Sequence, residues 1–140
     1  MKKRCIELVI KDQDPLLLTT GQTVGDACRR MWERRVGAVL VVNDQGALAG
    51  IFTGRDAVRI LAEAQDGPDT RLAVAMTPNP RTIGPAETSL DALRAMSDGG
   101  YRHLPVVEGG RILGVVSRGD FNGVEFERLG DETSLWERIC

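Results

Sequence analysis

The chain has 140 residues, 42% apolar and 27% charged, with 4% aromatic residues and a formal net charge of −2. These are the proportions of an ordinary globular protein, one compact domain or two very small ones. The slightly acidic balance argues against electrostatic binding of duplex nucleic acid, and the shortage of rings against a stacking platform for single strands.

The opening "MKKRCIELVI" has a basic start and an apolar piece that stops at Ile10, before Lys11 and Asp12. It is too short for the apolar core of a signal peptide, and no run approaches the roughly 20 residues of a spanning helix. No membrane association is expected. Cys5, Cys28 and Cys140 lack CxxC spacing, and there is a single histidine, so no structural metal site is expected. A reducing, cytoplasmic compartment fits this cysteine usage.

After a short extended piece, "LLLT", Val24, Ala27, Cys28 and Met31 fall at helical spacing and form one apolar stripe. Thr23 is the expected N-cap of that helix, Gly37 marks its end, and Cys28 is expected as a small core residue. The strands "AVLVV" and "ALAGIFT", joined by a turn at Asn43–Gly46, predict a hairpin. Ala57, Ile60, Leu61 and Ala64 give the stripe of a second helix. "QDGPDT", Gln65 to Thr70, is the most linker-like stretch.

The same grammar then repeats. An extended "RTI" precedes a helix striped by Leu90, Ala92, Leu93 and Met96, capped by Thr88 and ended at Gly99–Gly100. The strands "HLPVV" and "RILGVVS" flank a turn at Glu108–Gly110. A looser helix carries Phe121, Val124 and Leu129, and a last short helix, "ETSLWERI", carries Leu135 and Trp136.

The repetition is in register. At a shift of 65, Pro15 meets Pro80, Thr23 meets Thr88, Asp26 meets Asp91 and Met31 meets Met96. Past the turn the shift becomes 64, and Gly50 meets Gly114, Thr53 meets Ser117 and Asp56 meets Asp120. One gap inside a turn is where a duplication tolerates it. The expected fold is α/β, with two tandem β-α-β-β-α units packed with pseudo-twofold symmetry. The units are placed at residues 6–66 and 71–128, with a short C-terminal helix at 129–140.

Two tandem units of this order, each with an "LPVV"-like strand, a hairpin and Gly-apolar-apolar-[Ser/Thr]-x-x-Asp, resemble the CBS domain pair, or Bateman module. "MTPNPRTI", Met76 to Ile83, is similar to the "MT-x-x-P" opening of that family. The resemblance covers about Ile6 to Glu127. It implies an adenine nucleoside or nucleotide (AMP, ADP, ATP or S-adenosylmethionine) as a regulatory ligand in the cleft between the two units. It also implies a homodimer and a sensor role toward another, regulated protein.

The chemistry of the two motifs fits that implication. An ionised carboxylate accepts hydrogen bonds at two oxygens, so one Asp can clasp the two hydroxyls of a ribose. A hydroxyl at the strand-to-helix junction can donate to a phosphate. The plainer alternative is a helix cap, because Ser/Thr-x-x-Asp is also a capping arrangement. Thr23–Asp26 and Thr88–Asp91 share the spacing and are expected to cap only. For Thr53–Asp56 and Ser117–Asp120 the residues alone call for capping, and the resemblance adds ligand binding.

The resemblance pairs each Asp with the opening segment of the other unit. For Thr53, Arg55 and Asp56 that segment is Ala75, Met76, Thr77 and Pro78, with Ile83 as an apolar wall and Arg81 available for phosphate. For Ser117 and Asp120 it is the segment around Val9 to Asp12, with Arg102 and His103 as basic residues on the strand start. Lys11–Asp12–Gln13–Asp14–Pro15 replaces the "MT-x-x-P" opening there, and Asp12 and Asp14 would repel a phosphate they faced. The Asp56 site is therefore ranked ahead.

Other motifs carry less. "RGD" at Arg118 to Asp120 is part of a helix start. "TTGQTVGD" lacks the spacing of a phosphate-binding loop, and His103 has no nucleophile or second histidine arranged with it. No catalytic constellation is present, so the expectation is a standalone sensor and not an enzyme. A ligand-free structural dimerisation module is the alternative.

Overall fold

A computed structural model describes residues 5–63 and 65–121. The expected helix bearing Val124 and Leu129, the "ETSLWERI" helix, Ala64 and Cys140 lie outside the described residues. The chain forms two compact units. One gathers residues 14–81 with 110–112; the other gathers residues 5–13, 82–109 and 113–121 among those described.

The first unit is built on a four-stranded sheet, in the order β1 (Leu17–Thr19), β2 (Ala38–Val42), β3 (Leu48–Thr53) and β4 (Thr77–Pro78). β1 runs parallel to β2, with Leu17 opposite Leu40, because a helix, α2 (Val24–Arg34), connects them. β2 and β3 form the expected hairpin, and their register slips between Val41 and Val42. Asn43 closes the turn: its Oδ1 accepts from the Gln45 and Ala47 N–H groups, both at 3.0 Å, and Gly46 takes a φ of +80°. Val39, Leu40 and Val41 on the inner strand β2 are fully buried, and Val39 and Val41 join the core of this unit. Phe52, Met31 and Ile60 complete the packing, and each large side chain taken fully out of water contributes about 1.5–3 kcal/mol.

Three expectations are corrected in this unit. Helix α2 ends at Arg34, and Arg35 takes the left-handed cap conformation at φ 55°. Gly37 lies beyond it, and its carbonyl accepts from the Gly54 N–H at 3.2 Å. On α3 (Gly54–Glu63), Ile60 is buried but Leu61 is 79% exposed. A one-residue step turns the side chain about 100° around the helix, which carries Leu61 off the core face. "QDGPDT" is folded as well. Gly67–Asp69 form a 3₁₀ turn, Thr70 O accepts from Val24 N–H at 2.8 Å, and Thr23 bridges to Arg71. A Cβ on Gly25 would stand 3.2 Å from Pro68 O, so the turn lies close on the first turn of α2.

The second unit contains α5 (Ser89–Gly99) and the hairpin of β5 (His103–Glu108) and β6 (Arg111–Ser117), apart from residues 110–112 at its turn, which group with the first unit. Leu93 and Met96 are buried with Leu104, Val106 and Val116, and Gly100 caps the helix at φ 70°. "RTI" forms no ladder; Ile83 makes an isolated parallel bridge to Val106. The N-terminal helix α1 (Ile6–Val9) belongs here: Ile6 N–H donates to Glu87 O at 2.8 Å and Glu7 N–H to Pro85 O at 3.0 Å. Its counterpart, α4 (Leu72–Ala75), belongs to the first unit, where Leu72 and Ala75 are fully buried. Each unit is thus completed by the segment that precedes the other repeat in sequence.

Candidate ligand-binding sites

The Thr53–Asp56 motif sits where β3 runs directly into α3. Thr53 N–H donates to Asp56 Oδ2 at 3.0 Å, the Thr53 hydroxyl to the same oxygen at 3.2 Å, and Asp56 N–H returns to Thr53 Oγ1 at 3.4 Å. The motif is therefore a closed cap, as at Thr23–Asp26 and Thr88–Asp91. Capping occupies Oδ2 and leaves Oδ1 with Arg59 Nη2 at 3.6 Å. The Asp56 side chain is 15% exposed.

β4 brings the expected opening segment to this motif. Ile51 pairs with Thr77 and Gly50 with Pro78, both antiparallel. Gly50 is what permits the approach: a Cβ there would lie 2.4 Å from Met76 Sδ and 2.8 Å from Thr77 O. Ala75 is buried, Met76 is half-buried against the core, and Thr77, Pro78 and Arg55 are exposed. Ile83 belongs to the core of the other unit, 4% exposed, and its main chain bonds to Pro105 O and Val107 N–H. Arg59 was not named from sequence. Its Nη2 donates to Ala75 O at 2.8 Å, a tertiary contact; only its place three residues after Asp56 hinted at it.

The Ser117–Asp120 motif is the same device one repeat on. Ser117 N–H donates to Asp120 Oδ2 at 2.6 Å, and a 3₁₀ turn, Arg118–Asp120, follows. Arg118 N–H donates to Arg102 O at 3.0 Å, the counterpart of the Gly54–Gly37 bond, which sets Arg102 and His103 beside the motif. Arg102 and Asp120 are exposed, and His103 is half-buried. Burial pushes the His103 imidazole below its ordinary value; the Asp120 carboxylate opposes that shift and the Arg102 guanidinium adds to it.

Among the described residues no strand pairs here as β4 does. Gln13 takes its place with a side chain: Val115 N–H donates to Gln13 Oε1 at 2.6 Å and Gln13 Nε2 donates to Val115 O at 2.9 Å. A Cβ on Gly114 would meet that Oε1 at 2.7 Å and Ile10 Cβ at 3.0 Å. Gln13 is a second residue whose part sequence reasoning missed; one glutamine in an acidic stretch carries no local signal. Both motif glycines make room for the protein's own segments. Among the described residues no cluster of metal-ligating side chains occurs, and no helix is long and apolar enough to cross a membrane.

The family model of the CBS domain matches residues 7–63 and 71–124. A CBS domain-containing protein of Arabidopsis thaliana, CBSCBSPB2, is 41% identical over 102 residues, 72% of this chain but 19% of that protein. The mitochondrial CBSX3 of the same plant is 38% identical over 110 residues, 75% of this chain and 53% of the relative. The chain therefore spans only part of these relatives' length. Among solved structures, a CBS-domain containing protein from Agrobacterium tumefaciens has a TM-score of 0.77 at 30% identity, over 83% of this chain and 89% of that one. A CBS domain protein from Pyrobaculum aerophilum complexed with AMP has a TM-score of 0.82 at 21% identity, over 91% and 98% of the two chains; this is a likeness of fold. The chain belongs to the CBS domain family and carries two copies of the domain in tandem.

Proposed function

We propose that this protein is a regulatory sensor module whose Asp56 site binds an adenine nucleotide or nucleoside. In this account Asp56 Oδ1 accepts from a ribose hydroxyl, the segment Ala75–Pro78 lies against the base, and Arg55 and the α3 start face the phosphate. The observation that carries the reading is the division of labour on Asp56. The cap fixes Oδ2, and Oδ1 keeps its acceptor capacity on a carboxylate already held in place. That the Pyrobaculum aerophilum protein of the same fold was solved with AMP supports the ligand class.

The protein acts, on this account, as a cytoplasmic homodimer without catalytic activity of its own, and hands occupancy to a regulated partner. The exposed apolar side chains Trp32, Val58 and Leu61 support an interface role for the first unit. Binding shifts the module only by its differential affinity for two states. Calorimetric titration with AMP, ADP, ATP and S-adenosylmethionine tests the proposal. Heat with at least one of them is expected; no heat with any sinks it and favours the ligand-free dimerisation module. The Gln13 clasp and the exposed Asp120 favour that second reading for the Ser117 site taken alone.

A further inference from the structure

The spacing Asp-x-x-Arg follows three of the four capping motifs, at Asp26–Arg29, Asp56–Arg59 and Asp91–Arg94, while Gly123 stands at the same place after Asp120. An ion pair at this spacing on a helix surface is ordinarily a weak local support. Arg29 fits that description: it pairs with Asp26 at 2.8 Å, and its side chain is 70% exposed. Arg59 differs. Its Nη2 reaches Ala75 O at 2.8 Å, across 16 residues of sequence, and stands 3.6 Å from Asp56 Oδ1. Ala75 is the last residue of α4 and is fully buried; β4 begins two residues on. One guanidinium, rigid and with five donors, therefore joins the motif carboxylate to the start of the opening segment.

We propose that Arg59 is a positioning residue for the Asp56 site. It holds the chain from Ala75 onward at a fixed place relative to the Asp56 carboxylate, and it directs Oδ1. This rests on the nucleotide reading for its consequence in binding, but the tie itself is independent of any ligand. A local helix pair would act on α3 alone. A tie to Ala75 O must also act on β4, and on the bond just past it, from Asn79 N–H to Ala49 O at 3.2 Å.

Hydrogen exchange of the Asn79 amide tests this by NMR in the parent, Arg59→Met, Arg59→Lys and Arg29→Met, with AMP titrated into the same samples. Arg59→Met is expected to speed Asn79 exchange about tenfold and to weaken AMP binding about tenfold. Arg59→Lys, which keeps one donor for Ala75 O, recovers most of both, and Arg29→Met changes neither. Equal Asn79 exchange in Arg59→Met and Arg29→Met overturns the proposal, whether or not AMP binds. Faster exchange with unchanged AMP affinity overturns the positioning role. Faster exchange in Arg59→Met, with a parent that takes no AMP, supports the tie and counts against the nucleotide reading alone.

Discussion

Gln13 and Val115, separated by 102 residues, exchange two hydrogen bonds through one side-chain amide. A primary amide carries a donor and an acceptor side by side, as a strand residue does on its edge. Gln13 thus gives β6 the pairing that β3 receives from Thr77. The two repeats solve one problem differently: the first with main chain, the second with a side chain that a point substitution can remove.

Gln13→Ala is accordingly expected to destabilise the protein by about 1–2 kcal/mol, since both polar groups of Val115 lose their partner. Thr77→Ala, which leaves the main-chain pairing of β4 intact, is expected to cost less. Gln13→Glu should behave as a pH-dependent version of the defect. An ionised carboxylate cannot donate to Val115 O, whereas the protonated acid can, so part of the loss returns on acidification. Urea midpoints of the three variants check this.

Gly50→Ala is expected to cost about 1–3 kcal/mol through overpacking. Met76 Sδ, near the end of a flexible side chain, can yield, but Thr77 O, 2.8 Å from the added Cβ, belongs to the paired main chain. Gly54→Ala serves as the comparison, because nothing lies within 4 Å of a Cβ there. Thermal midpoints should separate the two; equal behaviour would contradict the close approach of β4.

The fold was legible where the pattern is local. The caps at Thr23 and Thr88, the hairpin turns and the buried stripe of Leu90, Leu93 and Met96 follow from residue type and spacing, and the shift of 65 exposed the duplication. Tertiary contacts were less legible. Leu61 matched a helical stripe, but the face of α3 against the core is narrower than the stripe. "QDGPDT" has linker composition, yet it folds because Thr70 O satisfies the Val24 N–H at the start of α2. The motif residues Asp56 and Asp120 were readable from the repeat. Arg59 and Gln13 were not, because their partners, Ala75 and Val115, are remote in sequence.

His103 predicts a pH dependence of known sign. Its value in the folded protein lies below the ordinary 6.5, chiefly through burial. The unfolded chain therefore binds the proton more readily between the folded value and 6.5. This contribution to stability is complete above that window and declines as pH falls through it. Denaturant midpoints of the parent and His103→Gln, compared at about pH 7.5 and about pH 5.5, should show a smaller acid loss in the variant. An equal loss in both would mean that His103 does not titrate as its burial requires.

The central claim is that Asp56 holds the ligand, and calorimetry on Asp56→Ala and Asp120→Ala tests it most directly. With AMP as the titrant, the parent is expected to bind, Asp56→Ala to lose affinity by at least about tenfold, and Asp120→Ala to stay within about threefold of the parent. AMP bound by Asp56→Ala as tightly as by the parent would contradict the account.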